Sequence, residues 1–266
     1  MNLVQKNMSE VEVAIANTIL NSCFELSVVE RNTIFLTLAE MSRKGKVKEV
    51  DYTKWYYMEA SEYASLRNIK PKHAYEVLKT ESARLFDRYI VVKYPGKTTL
   101  HKIRWVTEIR FNDERHRVEL RWSQTIVEFI SALSKDFTRF RVEDIVKIDS
   151  KYTARLYDLL LQRKFKGLKG KIRVPVEWII EHWSVAESSR EYKFLKSRVL
   201  VPAIKELKNK GLCNVELKDT GPGLRVSRFV ENVEFTYEFP EKDKGKDKDV
   251  EGFEMFEPDF GSLSWG

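Results

Sequence analysis

The chain has 266 residues, which suits about two domains, each large enough for a core of its own. Lysine and arginine outnumber aspartate and glutamate 47 to 40, and because the last 26 residues hold eight of the acids and four of the lysines, the net charge rises from +7 overall to +11 over residues 1–240. That balance favours a polyanionic partner reached through phosphate contacts, while the longest uncharged run near the N-terminus, 12 residues from Val13 to Phe24, is too short to cross a bilayer.

In chain order, Val11 to Leu20 reads as a helix or an arm. Ser27-Val-Val-Glu30 is a capping box that opens a helix with an apolar face of Ile34, Leu38 and Met41, ended by Lys44-Gly45. Val50 to Met58 alternates and predicts a strand, followed by a short helix over Ser61 to Leu66. Pro71 suits the first turn of the next helix, which runs to about Asp87. Tyr89–Tyr94, the Pro95-Gly96 turn, Thr99–Phe111, Asn112-Asp113 and His116–Arg121 read as successive strands and turns of a wing, before a helix near Thr125–Leu133.

The second half opens with a helix over Asp149–Lys166, its Tyr152, Leu156, Leu159, Leu160 and Arg163 spaced three or four apart and its end marked by Gly167-Leu-Lys-Gly170. Pro175 starts a short helix through His182. Ser188-Ser-Arg-Glu191 reads as a second capping box, opening a long basic helix to Lys210 that Gly211 caps and Pro202 kinks by removing the bond to Arg198. Val215, Leu217, the Gly221-Pro-Gly223 turn and Val226–Phe239 predict a second wing. From Glu241 the composition turns to alternating charges, so 241–266 is expected to be a disordered tail, whose aromatics from Phe253 to Trp265 fit a partner-docking peptide or an unselected end equally well.

The two halves repeat one order. Glu62-Tyr63, then Tyr75 to Lys79 on a basic helix, then the apolar strand from Tyr89 is matched by Glu177-Trp178, Tyr192 to Lys196 and Cys213 to Leu217. A short helix, a basic amphipathic helix and a hairpin, twice over, predict an α+β protein of two tandem winged helices reading one long DNA site: residues 1–138, 139–240 and then the tail.

In such a domain the second helix lays its N-terminal half in the major groove. With Leu195, Val199, Leu200, Ile204 and Leu207 buried, Arg190, Lys193, Lys196, Ser197 and Lys205 point outward, with Arg198 near the boundary. The basic residues crowd the helix N-terminus, where the macrodipole disfavours them unless an anion is near. In the first domain the candidates are Lys70, Lys72, His73, Lys79 and Arg84, with Lys97 and Lys102 on the wing, although Glu76 and Glu81 interrupt that surface. Arg225 and Arg228 on the second wing suit a phosphate or a minor groove. A solvated helix with ordinary surface lysines fits the same residues.

Signs of catalysis are weak. Gly96-Lys97-Thr98 imitates the end of a phosphate-binding loop, but Val91 stands where the first glycine belongs. Cys23 and Cys213 are distant packing candidates, His73, His101, His116 and His182 are scattered, and neither disulfide, metal site nor cofactor is expected. Tyrosines serve as DNA nucleophiles in relaxases and recombinases, but no metal or Arg-His constellation accompanies them here.

Tyr152-Thr-Ala-Arg155-Leu-Tyr157-Asp-Leu-Leu160, the run from Tyr192 to Leu207, and Val233-Glu-Phe235 resemble the Rep_3 family of plasmid replication initiators; Leu26–Leu38, Tyr75–Ile90 and Trp105 resemble it more loosely, and the likeness spans residues 10–238. The resemblance implies a cytoplasmic bacterial protein, not an enzyme, that grips directly repeated origin sequences (iterons) in double-stranded DNA, with Lys193, Lys196 and Arg198 on the main reading helix. It also implies a dimer formed through the first domain that represses its own gene, strain on A·T-rich DNA, and recruitment of the host initiator, helicase and primase. A two-domain transcription regulator without a replication role, and a DNA-processing enzyme, are the competing readings.

Overall fold

The computed structural model describes residues 7–43, 50–93, 100–131, 137–164, 167–220 and 230–241. Near the N-terminus the chain is extended, not helical: β1 (Glu12–Ala16) pairs antiparallel with β8 (Phe137–Arg141) before the single turn α1 (Asn17–Leu20). Val13 and Ile15 alternate into the core along β1, and this partner from far along the chain decides the conformation of a segment whose local pattern is ambiguous. The domain boundary expected at 138/139 therefore falls inside β8, a strand of the N-terminal domain.

After the short β2 (Cys23–Phe24), α2 (Val28–Arg43) begins at the expected capping box: the Glu30 N–H donates to Ser27 Oγ at 3.2 Å and the Ser27 N–H to the Glu30 carboxylate at 2.6 Å. The helix is not one-sided, because every residue from Glu30 to Met41 is buried, polar ones included. It is the central rod of the domain, covered on all sides. The strand expected over Val50–Met58 shrinks to β3 (Tyr56–Glu59), since the Asp51 carboxylate accepts from the Thr53 N–H at 2.8 Å and turns the chain first.

Helices α3 (Ala60–Arg67) and α4 (Pro71–Ala83) form the helix-turn-helix, joined through Asn68 in the left-handed region at φ 53°. Pro71 sits in the first turn as expected, and a 3₁₀ turn, Arg84–Asp87, extends α4. Beyond it, the sequence led us to expect one run of strands, but there are two sheets. Strand β4 (Tyr89–Lys93) pairs with β2 on one side and β5 (Leu100–Arg104) on the other, giving the order β2-β4-β5, whereas β7 (Arg117–Trp122) pairs with β3 and with β6 (Val106–Asn112), giving the order β3-β7-β6. The break falls at Trp105, which is buried with its ring edge-on to Phe24, centroids 5.7 Å apart. Residue 105 is thus a corner that a period-two pattern cannot reveal. Helix α5 (Gln124–Ser131) and the short α6 (Val142–Ile145) flank β8 and close the domain.

In the second half α7 (Lys151–Leu161) starts at Ser150, whose hydroxyl accepts from the Tyr152 N–H at 3.2 Å. It is shorter than the expected Asp149–Lys166. Strand β9 (Lys169–Pro175) and α8 (Val176–His182) follow, with Pro175 as the residue ahead of the helix. The expected capping box at Ser188–Glu191 does not form: Glu187–Ser189 is a 3₁₀ turn, and extended Glu191 precedes α9 (Tyr192–Leu195). A turn of π helix, Lys196–Leu200, joins α9 to α10 (Val201–Asn209). Pro202 has no N–H to offer the Arg198 carbonyl, so the predicted disruption takes the form of a widened turn. Gly211, at φ +65°, ends the helix as expected: its N–H donates to the Lys208 carbonyl and that of Leu212 to Leu207, both at 3.0 Å.

Strands β10 (Asn214–Thr220) and β11 (Asn232–Glu238) complete a sheet of order β10-β11-β9, the same arrangement of hairpin and preceding strand as β6-β7-β3. The domains are therefore repeats in space, and the β2-β4-β5 sheet is an addition to the first. Among the described residues no helix is long and apolar enough to cross a membrane. The Lys44-Gly45 stop, the Pro95-Gly96 and Gly221-Pro-Gly223 turns and the tail beyond 241 lie outside the described residues.

Candidate nucleic-acid interface

The helix over Tyr192–Asn209 is held to its domain by Leu195, Val199, Leu200, Ala203 and Leu207, all buried, with Ile204 partly so. Burying such an apolar row contributes roughly 1.5–3 kcal/mol per large side chain, so the helix is fixed in rotation. Its other face carries exposed Lys193, Ser197, Arg198 and Lys205, with Arg190 just ahead of it. Arg198 lies over the Phe194 ring at 4.4 Å and donates to the Ser188 carbonyl at 3.2 Å, so its guanidinium is preoriented at the surface. Arg190 donates to the Val185 carbonyl at 3.2 Å. The Ser197 hydroxyl turns back to the Lys193 carbonyl at 2.9 Å.

Lys196 differs. It is half-buried, and its ammonium donates to both carboxylate oxygens of Asp219 on β10, at 2.9 and 2.7 Å. In the first domain, α4 buries Ala74, Tyr75, Leu78 and Ser82 and exposes Lys72, His73 and Glu76, with exposed Lys70 ahead of it. Lys79 is bound to Asp113 at 2.7 Å, and Arg84 lies 3.3 Å from Glu81. Lys102 is separated from these residues, for it stands on β5 in the added sheet, its ammonium 3.5 Å from the centroid of the Tyr89 ring. The wing of the first domain by topology is the β6–β7 hairpin, whose turn carries Arg115. That residue is not among the sequence-derived candidates, and it lines an open groove of about 650 Å³ with Lys72, Tyr75 and His116. Lys97, Arg225 and Arg228 lie outside the described residues.

Electrostatics favours tyrosines that hold their protons. Burial and the adjacent Asp113 carboxylate push the Tyr75 hydroxyl well above its ordinary range, and burial with Asp219 does the same to Tyr192. Both are hydrogen-bond donors, a state opposite to that of a tyrosyl nucleophile. Although sequence spacing suggests no metal site, the fold brings candidate ligand atoms of Cys23, Glu181 and His182 within 4.8 Å of one another. The buried guanidinium of Arg155, which donates to the Ser22 and His182 carbonyls at 3.1 and 2.8 Å, adds a positive charge beside this cluster that opposes a cation.

Two sequence profiles describe what this architecture is. Residues 12–161 match that of the first winged-helix domain of the initiator replication proteins, and residues 175–237 that of the second. The chain belongs to the initiator replication protein family. An Escherichia coli replication initiation protein is 25% identical over 209 residues, covering 75% of this chain, and this chain spans 63% of that protein's length. An uncharacterised 27.6 kDa Escherichia coli protein is 22% identical over 223 residues, 80% of this chain and 92% of its own. The crystal structure of the Pi initiator protein in complex with iteron DNA superposes with a TM-score of 0.72 at 18% identity, covering 88% of this chain and 99% of that one. Two tandem winged helices are thus the family architecture, and this chain has both.

Proposed function

We propose that this protein initiates plasmid DNA replication by binding directly repeated origin sequences in double-stranded DNA. The observation that carries the reading is the spatial repeat: two winged helices on one chain, each presenting a basic second helix beside a hairpin, within a family of replication initiators. The related initiator solved on iteron DNA supports the same mode of binding. Arg190, Lys193, Ser197, Arg198 and Lys205 would meet one part of the repeat, together with Arg225 and Arg228. Lys70, Lys72, His73 and Arg84 would meet the other, with Lys102 of β5 at its flank, together with Lys97. Phosphate contacts position the two domains and base-edge contacts select the sequence.

No bond is made or broken in this scheme. The protein bends and strains adjacent A·T-rich DNA, and recruits the host initiator, helicase and primase; a dimer formed through the first domain represses its own gene. The donor state of Tyr75 and Tyr192 supports a binding role over strand cleavage.

The test is selection of bound duplexes from a random pool, followed by footprinting. An asymmetric site of about two helical turns covered by one monomer is the expected result. A short palindrome bound by a dimer would point to a transcription regulator instead, and magnesium-dependent cleavage lost with one tyrosine would establish an enzyme.

A further inference from the structure

Two aspartates occupy the same place in the two domains. Asp113 follows β6 at the start of the first hairpin turn, and Asp219 stands near the end of β10, the strand that corresponds to β6 in the repeated sheet order. Asp113 accepts from the Tyr75 hydroxyl at 2.7 Å and from Lys79 at 2.7 Å. Asp219 accepts from the Tyr192 hydroxyl at 2.6 Å and from Lys196 at 2.7 Å. In each helix the tyrosine and the lysine are four residues apart, one turn, so both reach a single carboxylate.

Neither aspartate is fully buried. The side chain of Asp113 is 70% exposed and that of Asp219 25%, and each lies on the part of its domain that the proposed function turns towards a polyanion. A carboxylate there opposes the phosphates, and it neutralises a lysine that would otherwise attract them. The same costly arrangement occurs twice in one chain, across two helices of different sequence. Its geometric effect is plain: it ties the N-terminal half of the second helix to the hairpin that must lie beside it on the duplex.

We propose that Asp113 and Asp219 are positioning residues for DNA recognition, each locking a tyrosine and a lysine of the second helix to the wing, and that Lys79 and Lys196 act through these aspartates and not as phosphate contacts. The proposal rests on the DNA-binding reading above. It changes the roles of two residues that the sequence places on the DNA surface.

The sign of one substitution separates the alternatives. The full chain is titrated with the duplex that wild-type protein enriches from a random pool, over a series of potassium chloride concentrations. Asp219→Asn removes a negative charge from a DNA-facing surface, yet positioning requires it to weaken binding, by about two- to fivefold, the worth of a part-exposed ion pair. Lys196→Ala should weaken binding by a similar factor with the salt slope unchanged, and should cost nothing further in the Asp219→Asn background. Lys193→Ala, an exposed lysine outside the cluster, should instead lower the slope by about 0.9. Tyr192→Phe removes one donor and keeps the ion pair, so it repeats the test if Asp219→Asn melts early. Equal or tighter binding by Asp219→Asn, or a slope reduced by about 0.9 in Lys196→Ala, overturns the positioning role while leaving DNA binding intact. If wild type enriches no duplex and Lys193→Ala changes nothing, the DNA-binding reading fails and the positioning role falls with it.

Discussion

Arg31 of α2 donates to Asp158 of α7 at 2.6 Å, and both side chains are nearly sealed from solvent. The pair joins α2, the central rod around which the first domain packs, to α7, 127 residues further along the chain. Arg155, one turn before Asp158, is buried beside them, and burial pushes its guanidinium down to about 10 despite the neighbouring Asp158. Asp158→Ala leaves two buried guanidiniums without their carboxylate and should cost about 3–5 kcal/mol in urea unfolding. Replacing both partners, Arg31→Met with Asp158→Leu, should cost much less, because no buried charge of that pair is left uncompensated. A double variant as unstable as Asp158→Ala would contradict this account.

The capping box at α2 is coupled to the added sheet. Glu30 is fully buried and accepts from Arg88 Nε at 2.9 Å as well as from the Ser27 N–H. Ser27→Ala should therefore lower stability by about 1 kcal/mol, the ordinary value of a cap, and Glu30→Ala by clearly more, since it also removes the buried partner of Arg88. Denaturant midpoints of the two variants give the order.

Glu119 on β7 should set part of the acid limit of the fold. Burial alone would raise its carboxyl, but hydrogen bonds and charge from Arg110 and Arg117 outweigh burial and hold it below the usual glutamate range. A carboxyl lowered in the folded state stabilises fully above its unfolded value, near 4.5, and the contribution is lost as pH falls through the lower folded value. Wild type should thus lose stability on acidification below about pH 4.5 more steeply than Glu119→Gln. Chemical unfolding at pH 6 and pH 3.5 compares them; parallel losses would show that another group controls this range.

Arg198 and Lys193 should fail differently on DNA. Arg198→Lys keeps the charge but loses the guanidinium that lies over the Phe194 ring, and should relax sequence preference with the salt slope unchanged. Lys193→Ala should weaken all duplexes alike and reduce the slope. Binding to matched and mismatched duplexes at two salt concentrations separates the two behaviours.

Where an element depends on its own neighbours in the chain, it was legible. The Ser27–Glu30 box, Pro71 in a first turn, the Gly211 cap and the buried row from Leu195 to Leu207 all follow from residues within one or two turns of each other. The repeat of Tyr75 to Lys79 in Tyr192 to Lys196 was also visible, as was the family resemblance. What the repeat was for could not be seen, since its partners Asp113 and Asp219 stand more than 20 residues away, in hairpins that look like ordinary turns. The capping box read at Ser188 failed because the same short motif also suits a 3₁₀ turn, and the Arg198 contact to the Ser188 carbonyl secures that alternative.

By itself, then, the sequence determined that two basic helix-and-hairpin units follow one another, and where most of their helices start and stop, because caps, periodicity and breakers act over a few residues. Only the tertiary structure decided that β1 is a strand, that Trp105 divides one apparent wing into two sheets, and that Lys79 and Lys196 are held by aspartates while Lys193 is exposed with no carboxylate among the described residues holding it. Those outcomes are choices among distant partners, made by the burial of Trp105, Val13 and Ile15 and by which carboxylate comes within reach of which lysine once the cores have closed.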